Sequence, residues 1–445
     1  MGSSAWASLV IGALAASASG CGRTPLGGRQ PDVGVWETQA EAGVPDVDTP
    51  GEEGSCLIDS IRYQSGAANP NNACQSCQPS RSSTGWSSLA TAPGCLGLGE
   101  QHSCAVVNGS AWCWGDNTFG QLGDNSATSS TMAVPVYGLS SGVQAIAGGS
   151  GNSYALVNGG VQAWGDNSSG TLGNDSTTSS LVPMPVEGLS SGVQGVVAGR
   201  EHACALAGGE VWCWGQNNSG QLGSTGTESD VPLRVSGLPS GVEAIVAGDS
   251  HTCALVADSV WCWGLDTYYQ LGYIPVDYYD PDPNSQDPVK VGGVPSGVQA
   301  IAAGGNRTCV LADDKVWCWG ETNTPSGSVA NAVPAMVSGL PSVVRAIAVA
   351  GDHDCALLDD GVMCWGQDDA GQLGDNSPTI VFASLPVRVQ GLPSAVQAVA
   401  AGWYHTCAWA ASAVWCWGYN VSGDLGNNST SPSPVPVRVQ GLPGS

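Results

Sequence analysis

A pair of cysteines separated by nine residues recurs six times in this chain, each time within a variant of the pattern H-x-C-A-L…V-W-C-W-G. A further copy places Tyr154 and Ala163 at the two cysteine positions, with the same spacing of nine. The seven copies follow one another with a period of about 50 residues, which is typical of solenoids, propellers and repeat arrays. The cysteine pairs are Cys104 with Cys113, Cys204 with Cys213, Cys253 with Cys262, Cys309 with Cys318, Cys355 with Cys364 and Cys407 with Cys416.

Each copy divides into four short apolar runs, as at Val298–Gly304, Thr252–Leu255, Val211–Gly215 and Pro386–Leu392. These runs are rich in Val, Ile, Trp and Ala and are bounded by Gly, Asn, Asp, Ser or Pro, as strands separated by turns are. No run after the first residues of the chain has the apolar period of a helix. Four strands in each of several repeats predict an all-β chain folded as a β-propeller.

The cysteine spacing indicates that each pair lies across a hairpin. If Cys104 faces Cys113, the turn between them is centred on Asn108-Gly109, a strong signal for a two-residue hairpin turn. Counting outward from this turn places both cysteines on a non-hydrogen-bonded pair, where the strands approach closely enough for a disulfide. The copy that lacks one cysteine lacks both. We therefore predict a disulfide across each of these hairpins, with free thiols in the core as the alternative.

The motifs G-x-x-H-x-C-A-L, V-x-x-W-G and N-x-x-G-Q-L-G resemble the regulator of chromosome condensation repeat, known in bacteria as a BNR-like repeat. The best-matched stretches are Gly199–Gly223 and Gly99–Gly123, and the resemblance extends from about Gly94 to the end of the chain. The seven copies match the blades of that family's propeller, which implies a seven-bladed ring. Because the chain ends on a fourth run and no such run precedes Gly94, we expect the last strand to complete the first blade and close the ring.

Residues 1–20 indicate a signal peptide, because the apolar run Ala5–Ala16 is too short to span a membrane. Ala18-Ser19-Gly20-Cys21 resembles the cleavage site of bacterial lipoproteins, which would leave a lipid on Cys21; ordinary cleavage after Ala18 is the alternative. Of the 17 cysteines, Cys21 is the one left over when the repeats and the next module are paired, which favours lipidation. Residues 21–55 are rich in Pro, Gly and acidic side chains and predict a disordered linker.

Residues 56–95 are expected to form a small cysteine-rich module ahead of the propeller at residues 96–445. The module resembles those in secreted proteins of myxobacteria, and its cysteines are Cys56, Cys74, Cys77 and Cys95. Two disulfides suit an exported chain, and the sequence does not choose among the three possible pairings. A zinc site is the alternative.

The composition is strongly acidic, with 37 acidic and 12 basic side chains and a net charge of −25. A protein that binds nucleic acid needs a basic face. The charge therefore argues against nucleic acid and against anionic surfaces as partners. Solubility is the simpler explanation of the acidity.

Histidine and tryptophan follow the repeat, which favours a structural role for both. The histidines stand two residues before the first cysteine, where we expect a hydrogen bond to nearby backbone; metal binding is the alternative. Tryptophans at i and i+2 share one strand face and are expected to pack between blades, with stacking on sugar rings as the alternative for any that is exposed. These residues are His102, His202, His251, His353 and His405, and Trp112/Trp114, Trp212/Trp214, Trp261/Trp263, Trp317/Trp319 and Trp415/Trp417.

Two stretches depart from the repeat and supply the candidate ligand contacts. One is the insertion Tyr273–Asp287, because loops on a rigid scaffold often carry binding and tyrosines favour protein contacts. The other is Trp403-Tyr404. The candidate residues are Tyr273, Asp277, Tyr278, Tyr279, Asp280, Asp282, Trp403 and Tyr404. Asp280-x-Asp282-x-Asn284 is similar to the start of a calcium loop but lacks its Gly and Glu, so no metal is predicted there.

No motif of a nucleophilic, phosphate-binding or zinc-dependent enzyme occurs in the sequence, and no catalytic residue or cofactor is predicted. We predict a non-enzymatic binding protein of the cell envelope, on the outer membrane or secreted, that recognises protein or polysaccharide and contacts the membrane only through a lipid on Cys21. An enzyme that processes envelope glycans is one alternative, and carboxylates clustered in one pocket would favour it. Nucleotide exchange on a small GTPase is the alternative implied by the best-known member of the family, but a leader and disulfides indicate another compartment.

Overall fold

The computed structural model describes residues 95–273, 284–324, 327–341, 343–377 and 381–444, together with the backbone of five short strands nearer the start of the chain. Those five strands form a two-stranded and a three-stranded sheet. Their bounds are Ser55–Ile58 and Ile61–Gln64 in the first sheet, and Ala68–Asn69, Asn72–Ser76 and Ser87–Ser88 in the second. Cys95 is disulfide-bonded, as the disulfide prediction for its module requires. Cys21 and the side chains of Cys56, Cys74 and Cys77 lie outside the described residues.

From Leu96 onward the described chain forms seven antiparallel sheets of four strands each. The innermost strands of all seven line one channel. Each sheet is therefore a blade, numbered 1 to 7 in chain order, and the predicted seven-bladed β-propeller is confirmed.

The four strands of each blade run consecutively from the channel outward. The innermost strands are Leu96–Leu98, Val143–Gly148, Val193–Ala198, Val242–Ala247, Val298–Gly304, Val344–Val349 and Val396–Ala401. The second strands are His102–Val107, Asn152–Val157, His202–Ala207, His251–Val256, Arg307–Ala312, His353–Leu358 and His405–Ala410. The third strands are Ser110–Gly115, Gly160–Gly165, Glu210–Gln216, Ser259–Gly264, Lys315–Thr324, Gly361–Gln367 and Ala413–Gly418. The outermost strands are Ser130–Pro135, Ser180–Pro185, Glu228–Arg234, Ser285–Lys290, Gly327–Met336, Phe382–Arg388 and Ser433–Arg438.

The hairpin between the second and third strands carries the predicted disulfide. In blade 1, Asn108 and Gly109 form the turn with φ values of 52° and 74°, and Cys104 lies directly opposite Cys113 and is bonded to it. The same disulfide forms in the five other blades that have the cysteines. It joins Cys204 with Cys213, Cys253 with Cys262, Cys309 with Cys318, Cys355 with Cys364 and Cys407 with Cys416.

The paired cysteines belong to the interior of the blades. All of those in the six hairpins except Cys318 are fully buried, and Cys318 packs against the core between blades 5 and 6 as a partly buried residue. The prediction of a disulfide in each of these hairpins is confirmed, and the alternative of free core thiols is wrong.

A repeated set of hydrogen bonds joins each blade to the next. Between blades 3 and 4, Trp263 Nε1 and Thr252 Oγ1 both donate to the carbonyl oxygen of Gln221 at 2.9 Å. His202 Nε2 lies 2.9 Å from the same Thr252 oxygen. Because the hydroxyl proton is given to Gln221, the histidine nitrogen is the donor in this contact, which fixes the tautomer. Equivalent contacts are His102–Ser153, His251–Thr308, His353–Thr406 and His405–Ser103.

The histidines are therefore structural, as predicted, and the Nε2 partner of each is a hydroxyl of the next blade. The ring of His202 is fully buried, and this burial lowers its pKa to about 4, so the ring is neutral at physiological pH. The packing prediction for tryptophan also holds, because the second tryptophan of each pair is buried between blades. The first tryptophan of each pair is only partly buried.

The junction between blades 2 and 3 uses other residues for the same purpose. Asn152 stands in place of the histidine, and Ala203 stands in place of the hydroxyl residue. Tyr154 supplies the missing hydroxyl, donating to the carbonyl oxygen of Thr171 at 2.7 Å, which Trp214 Nε1 also contacts at 2.8 Å. The Tyr154 ring takes the place of a disulfide. The loss of both cysteines in this blade thus makes room for Tyr154, whose hydroxyl makes the hydrogen bond that Ala203 cannot make.

The junction between blades 5 and 6 is an ion pair. Arg307 stands in place of the histidine and Asp354 in place of the threonine, and the two side chains are 6% and 1% exposed. Blade 5 has no Q-L-G turn, because its third strand extends to Thr324 and its outermost strand already begins at Gly327. The Trp365 side chain instead interacts with the Asp354 carboxylate, where it opposes the rise that burial causes in the pKa of that group.

The ring closes without exchange of strands, so the prediction that the last strand completes the first blade is wrong. Leu96–Leu98 already pairs with the second strand of blade 1, with Leu96 opposite Ala105. Ser433–Arg438 pairs within blade 7. All positions in blade 1 are filled by consecutive strands, so a strand from the other end of the chain has no place in it. Blades 7 and 1 are joined by the same bonds as the other junctions, including Trp114 Nε1 to the Asp424 carbonyl oxygen at 2.8 Å.

Candidate functional site

The channel interior is lined by aliphatic and glycine residues of the innermost strands. The cavity has a volume of about 160 Å³, and its walls include Ile146, Val246, Ile301, Ile347 and Val399. These walls offer no polar side chain for acid–base chemistry. Chemistry or recognition at the channel therefore has to occur at its ends.

The loops between the innermost and second strands surround one end of the channel, which we call the mouth. In an antiparallel blade the loops between the third and outermost strands lie at the same edge of the ring, the mouth face. The two-residue hairpins and the connections between blades lie at the opposite edge, the hairpin face. A glycine begins the mouth loop in six blades. In blade 3 a Cβ on Gly199 would lie 2.2 Å from His202 Cε1, so a side chain at this position would displace the packed histidine ring.

The two residues after this glycine differ from blade to blade, although the residues on both sides of them repeat. At the first position the seven blades have Glu100, Ser150, Arg200, Asp249, Gly305, Gly351 and Trp403. At the second position they have Gln101, Gly151, Glu201, Ser250, Asn306, Asp352 and Tyr404. A position that serves the fold is expected to repeat with the fold. The mouth loops are therefore the best candidates for residues that serve function.

Among the described residues, one cation lies across the mouth. Arg200, in blade 3, places its guanidinium carbon 4.9 Å from the ring centroid of Trp403, in blade 7. Trp403 also packs edge-on against Tyr404, which in turn contacts Tyr419. The contact between an arginine and an aromatic face is an attractive cation–π interaction. It covers the channel end with side chains from opposite sides of the ring.

Carboxylates of several blades lie within electrostatic range of this cation. Burial raises the pKa of Asp249 to about 7, the charge of Arg200 opposes this rise, and Asp352 and Glu100 add to it. Burial, with Asp352 and Glu100, also raises the pKa of the Tyr404 phenol. These mutual effects indicate that the side chains lie within electrostatic range of one another. The mouth is thus an acidic and aromatic site that already holds one guanidinium.

A groove of about 290 Å³ extends from the mouth over blades 1 to 3. Its walls include four carboxylates: Glu100, Asp116, Asp166 and Glu201. Phe119, which is 49% exposed, also lines it. Each carboxylate accepts a hydrogen bond from a neutral side chain: Ser150, Thr118, Ser168 and Gln216 respectively.

The bases of the described propeller are distributed unequally between the two faces. Six lie toward the hairpin face: Arg234, Lys290, Lys315, Arg345, Arg388 and Arg438. Three of these form ion pairs there, namely Arg234 with Glu210, Arg345 with Asp359 and Arg388 with Asp360. Toward the mouth face the described bases are the buried Arg307 and the exposed Arg200. The mouth face is therefore the strongly acidic side of the ring.

Two of the predicted contact residues lie at the mouth, namely Trp403 and Tyr404. Tyr273 is half-buried and packs against the apolar core between blades 4 and 5. Asp277, Tyr278, Tyr279, Asp280 and Asp282 lie outside the described residues. The ends of their insertion lie on the mouth face, since it joins the third and outermost strands of blade 4.

Sequence reasoning missed Arg200, Glu100, Asp249 and Asp352. The signal that identifies them is the lack of repetition after the loop glycine, which was considered only for Trp403-Tyr404. Within the described ranges no group of three or more His, Cys, Asp or Glu side chains is placed to hold a metal ion. The same residues include no helix with the length and apolar character needed to cross a bilayer.

Comparison with known proteins agrees with this architecture. A model of the RCC1-like domain family matches residues 112–445. Yeast RCC1 (Prp20) bound to Kap60 superposes with a TM-score of 0.65 at 21% identity, covering 78% of this chain and 84% of that chain. Prp20p of Saccharomyces cerevisiae, described with its binding to Gsp1p and histones, gives 0.65 at 22% identity over 78% and 88%. Human WBSCR16 gives 0.62 at 24% identity over 73% and 89%.

No curated protein sequence matches the chain. At the identities given above, the solved structures establish a common fold and carry no argument about partners. The match to the family model, by contrast, covers most of the chain. The chain belongs to the RCC1-like domain family.

Proposed function

We propose that this protein is a non-enzymatic binding protein whose mouth face recognises a positively charged segment of a protein partner. One observation carries the proposal: the guanidinium of Arg200 lies over Trp403, within electrostatic range of carboxylates from several blades. This side chain is a tethered example of the chemistry that the site accepts. An arginine or lysine of a partner would take the place of Arg200 on Trp403.

The surroundings of the mouth suit such a partner. The groove beside it combines the carboxylates of Glu100, Asp116, Asp166 and Glu201 with the exposed ring of Phe119. Basic side chains would meet complementary charge there, which directs and speeds association. The Tyr273–Asp287 insertion leaves the ring on the same face, so its tyrosines and aspartates are proposed to extend the contact surface.

We further propose that the protein acts outside the cytosol, in the cell envelope or after secretion, anchored by a lipid on Cys21. Disulfides persist in oxidising compartments, and a disulfide in each of six blades supports that location. Intact mass of the protein from its native envelope, before and after reduction and alkylation, tests this. Thiols that appear only on reduction, with an acyl mass on Cys21, are expected; free thiols on a chain that keeps its leader would contradict it.

Binding at the mouth is tested with a fluorescein-labelled arginine-rich peptide, by fluorescence polarisation at 150 mM salt. Trp403→Ala should weaken binding about threefold to tenfold, the value of one cation–π contact. Arg200→Ala should tighten it, because a competing cation is removed. Tyr137→Ala, at an aromatic residue that is 61% exposed on the hairpin face, and Arg438→Ala, with the same charge change as Arg200→Ala, should leave it unchanged.

Equal binding by all these variants would show attraction to an acidic surface without a site and would refute the proposal. Loss of binding to an envelope polysaccharide in Trp403→Ala, with no response to the peptide, would replace the protein partner by a glycan.

The carboxylate-lined groove supports a second candidate function, that of an enzyme acting on envelope glycans. Hydrolysis of glycosidic bonds requires two carboxyl groups on opposite sides of the bond, and the groove holds four. Asp116→Asn and Glu201→Gln distinguish the two functions. Loss of glycan hydrolysis in either variant, with peptide binding retained, would favour the enzyme. Nucleotide exchange on a small GTPase has no comparable support, because the disulfides argue for a different compartment.

A further inference from the structure

An asparagine in the loop between the third and outermost strands is bonded to loop oxygen atoms in four blades. In blade 1, Asn117 Oδ1 accepts a hydrogen bond from Leu122 N at 2.9 Å. Its Nδ2 lies 3.2 Å from Asp124 Oδ1, 3.0 Å from the Ser126 carbonyl oxygen and 3.2 Å from the Thr128 carbonyl oxygen. Asn167 and Asn420 repeat this arrangement, and Asn217 Nδ2 donates to the carbonyl oxygens of Ser224 and Gly226. The amide nitrogen thus lies in a cage of oxygen atoms.

Blades 4 and 6 have a carboxylate in place of this asparagine, Asp266 and Asp368, and blade 6 is the one with a second carboxylate, Asp375, seven residues later. Asp368 Oδ1 accepts from Leu373 N at 2.9 Å, as the asparagine oxygen does in the other blades. Asp368 Oδ2 then occupies the position of the amide nitrogen. Asp368 is only 4% exposed, and its Oδ2 is buried with no hydrogen-bond partner. An oxygen that accepts hydrogen bonds stands where the other blades have an amide nitrogen that donates them, and the atoms around this position are acceptors. Burying an acceptor without a donor costs free energy.

The rest of the loop keeps the geometry of blade 1 as far as it is described. Asp375 stands seven residues after Asp368, as Asp124 does after Asn117. Ser377 N donates to Asp375 Oδ1 at 2.8 Å, as Ser126 N donates to Asp124 Oδ1 at 3.0 Å. Asn376 has a φ of 61°, close to the 65° of Asn125. The correspondence with blade 1 thus puts Asp375 Oδ1 and the Ser377 carbonyl oxygen in the positions that Asp124 Oδ1 and the Ser126 carbonyl oxygen hold around Asn117.

We propose that this loop of blade 6 binds a calcium ion through the carboxylates of Asp368 and Asp375 and the carbonyl oxygen of Ser377, with water completing the shell. Calcium takes oxygen ligands at about 2.3–2.6 Å in irregular geometry, whereas magnesium demands a near-ideal octahedron. In blade 1 the cage oxygens lie 3.0–3.2 Å from the amide nitrogen whose place Asp368 Oδ2 takes, a separation at which neighbouring oxygens can share one calcium ion at about 2.3–2.6 Å from each. With two carboxylates we expect a dissociation constant of the order of 10⁻⁴–10⁻³ M, as in extracellular calcium modules.

Calcium binding is measured on the full chain with its disulfides intact, using calcium chloride as the probe. Thermal unfolding in 10 mM calcium should raise the Tm of the wild type by about 2–4 °C, and calorimetric titration should count one more site than in Asp368→Asn. Asp368→Asn restores the amide of four other blades, so it is expected to fold. Asp369→Asn is the matched control, because Asp369 is its exposed neighbour and lies outside the cage.

Terbium luminescence gives a local signal, because Gly374, next to Asp375, packs against the Trp417 indole. A Cβ built on Gly374 would lie 2.7 Å from Trp417 Nε1. Tryptophan-sensitised emission should be weaker in Asp368→Asn than in Asp369→Asn. Asn117→Asp, which recreates the pair of carboxylates in blade 1, should add a site.

Identical calcium responses in the wild type and Asp368→Asn would refute the proposal and indicate that a proton, and not a cation, satisfies Asp368. Equal effects of magnesium and calcium would refute the assignment to calcium.

Discussion

The junctions between blades and the mouth of the channel both depart from the repeat, but they depart in different ways. At the junctions each unusual residue is accompanied by a second that restores the lost interaction, as Asp354 accompanies Arg307. At the mouth, Arg200 and Trp403 replace nothing that the other blades share. Departures that are compensated preserve the fold, whereas departures without compensation identify the residues that are free to serve recognition.

The ion pair between blades 5 and 6 should give the largest effect on stability. Arg307→Leu leaves the Asp354 carboxylate buried without its cation, and burial already raises the pKa of that group. We expect a loss of about 3–5 kcal/mol in the free energy of unfolding, measured by denaturant titration. Adding Asp354→Asn should recover part of it, since the buried group then carries no charge. A double variant that loses the sum of the two single effects would show that the residues are not coupled.

The histidine of a regular junction should make stability depend on pH. Burial lowers the pKa of His202 to about 4, whereas an unfolded chain titrates near 6.5. Between pH 6.5 and 4 the unfolded state takes up a proton that the folded state does not, so stability falls with pH in that window. His202→Asn copies blade 2. Between pH 7 and pH 4 its free energy of unfolding should fall by about 3 kcal/mol less than that of the wild type. Parallel profiles from urea titrations would contradict this.

The hydroxyl shared by a regular junction should have an intermediate effect. Thr252→Val keeps the shape of the side chain but leaves His202 Nε2 without its partner and removes the hydrogen bond to Gln221. We expect a loss of about 1–3 kcal/mol, the cost of an unsatisfied buried group. The double variant His202→Asn/Thr252→Ala tests whether the unsatisfied His202 donor causes this loss. If the double variant loses more free energy of unfolding than Thr252→Val alone, the unsatisfied donor is not the cause.

At the unusual junction between blades 2 and 3, Tyr154→Phe removes one hydrogen bond and leaves the packing in place. The expected loss is about 1 kcal/mol, measured as a shift in denaturant midpoint. If Tyr154 compensates for Ala203, restoring the cysteines by Tyr154→Cys/Ala163→Cys should recover stability only when Ala203→Ser is added. Full recovery of stability without Ala203→Ser would show that Tyr154 does not compensate for Ala203.

The mouth should give the smallest effect on stability. Trp403 is half-buried and its cation–π contact with Arg200 is near the surface, so Trp403→Ala should cost less than about 1 kcal/mol. Thermal unfolding measures this alongside the peptide-binding assay. A loss as large as that of Arg307→Leu would make Trp403 a structural residue and remove the contrast between the two regions.

The sequence suffices for the blades because their determinants are local. The Asn108-Gly109 turn, the paired cysteines and the alternating apolar runs each act within a few residues. Closure of the ring was predicted wrongly, because local pattern does not reveal whether the two ends exchange a strand or pack side by side.

The site was only partly predictable, because Arg200 meets Trp403 through the closed ring and not through neighbouring sequence. Asp368 is visible in the sequence as a substitution for asparagine. Its meaning depends on the oxygen atoms around the amide in the other blades, which only the structure provides.

The side-by-side junction of blades 7 and 1 has a consequence for folding. His405 and Ser103, which join there, are 302 residues apart, whereas the partners at the junction of blades 3 and 4 are 50 apart. For a flexible chain, bringing together the more distant pair costs about 1.5 kcal/mol more in loop-closure entropy, and no shared strand offsets this cost. We therefore expect the chain to fold as an open arc whose ends meet last, and to reopen first at this junction.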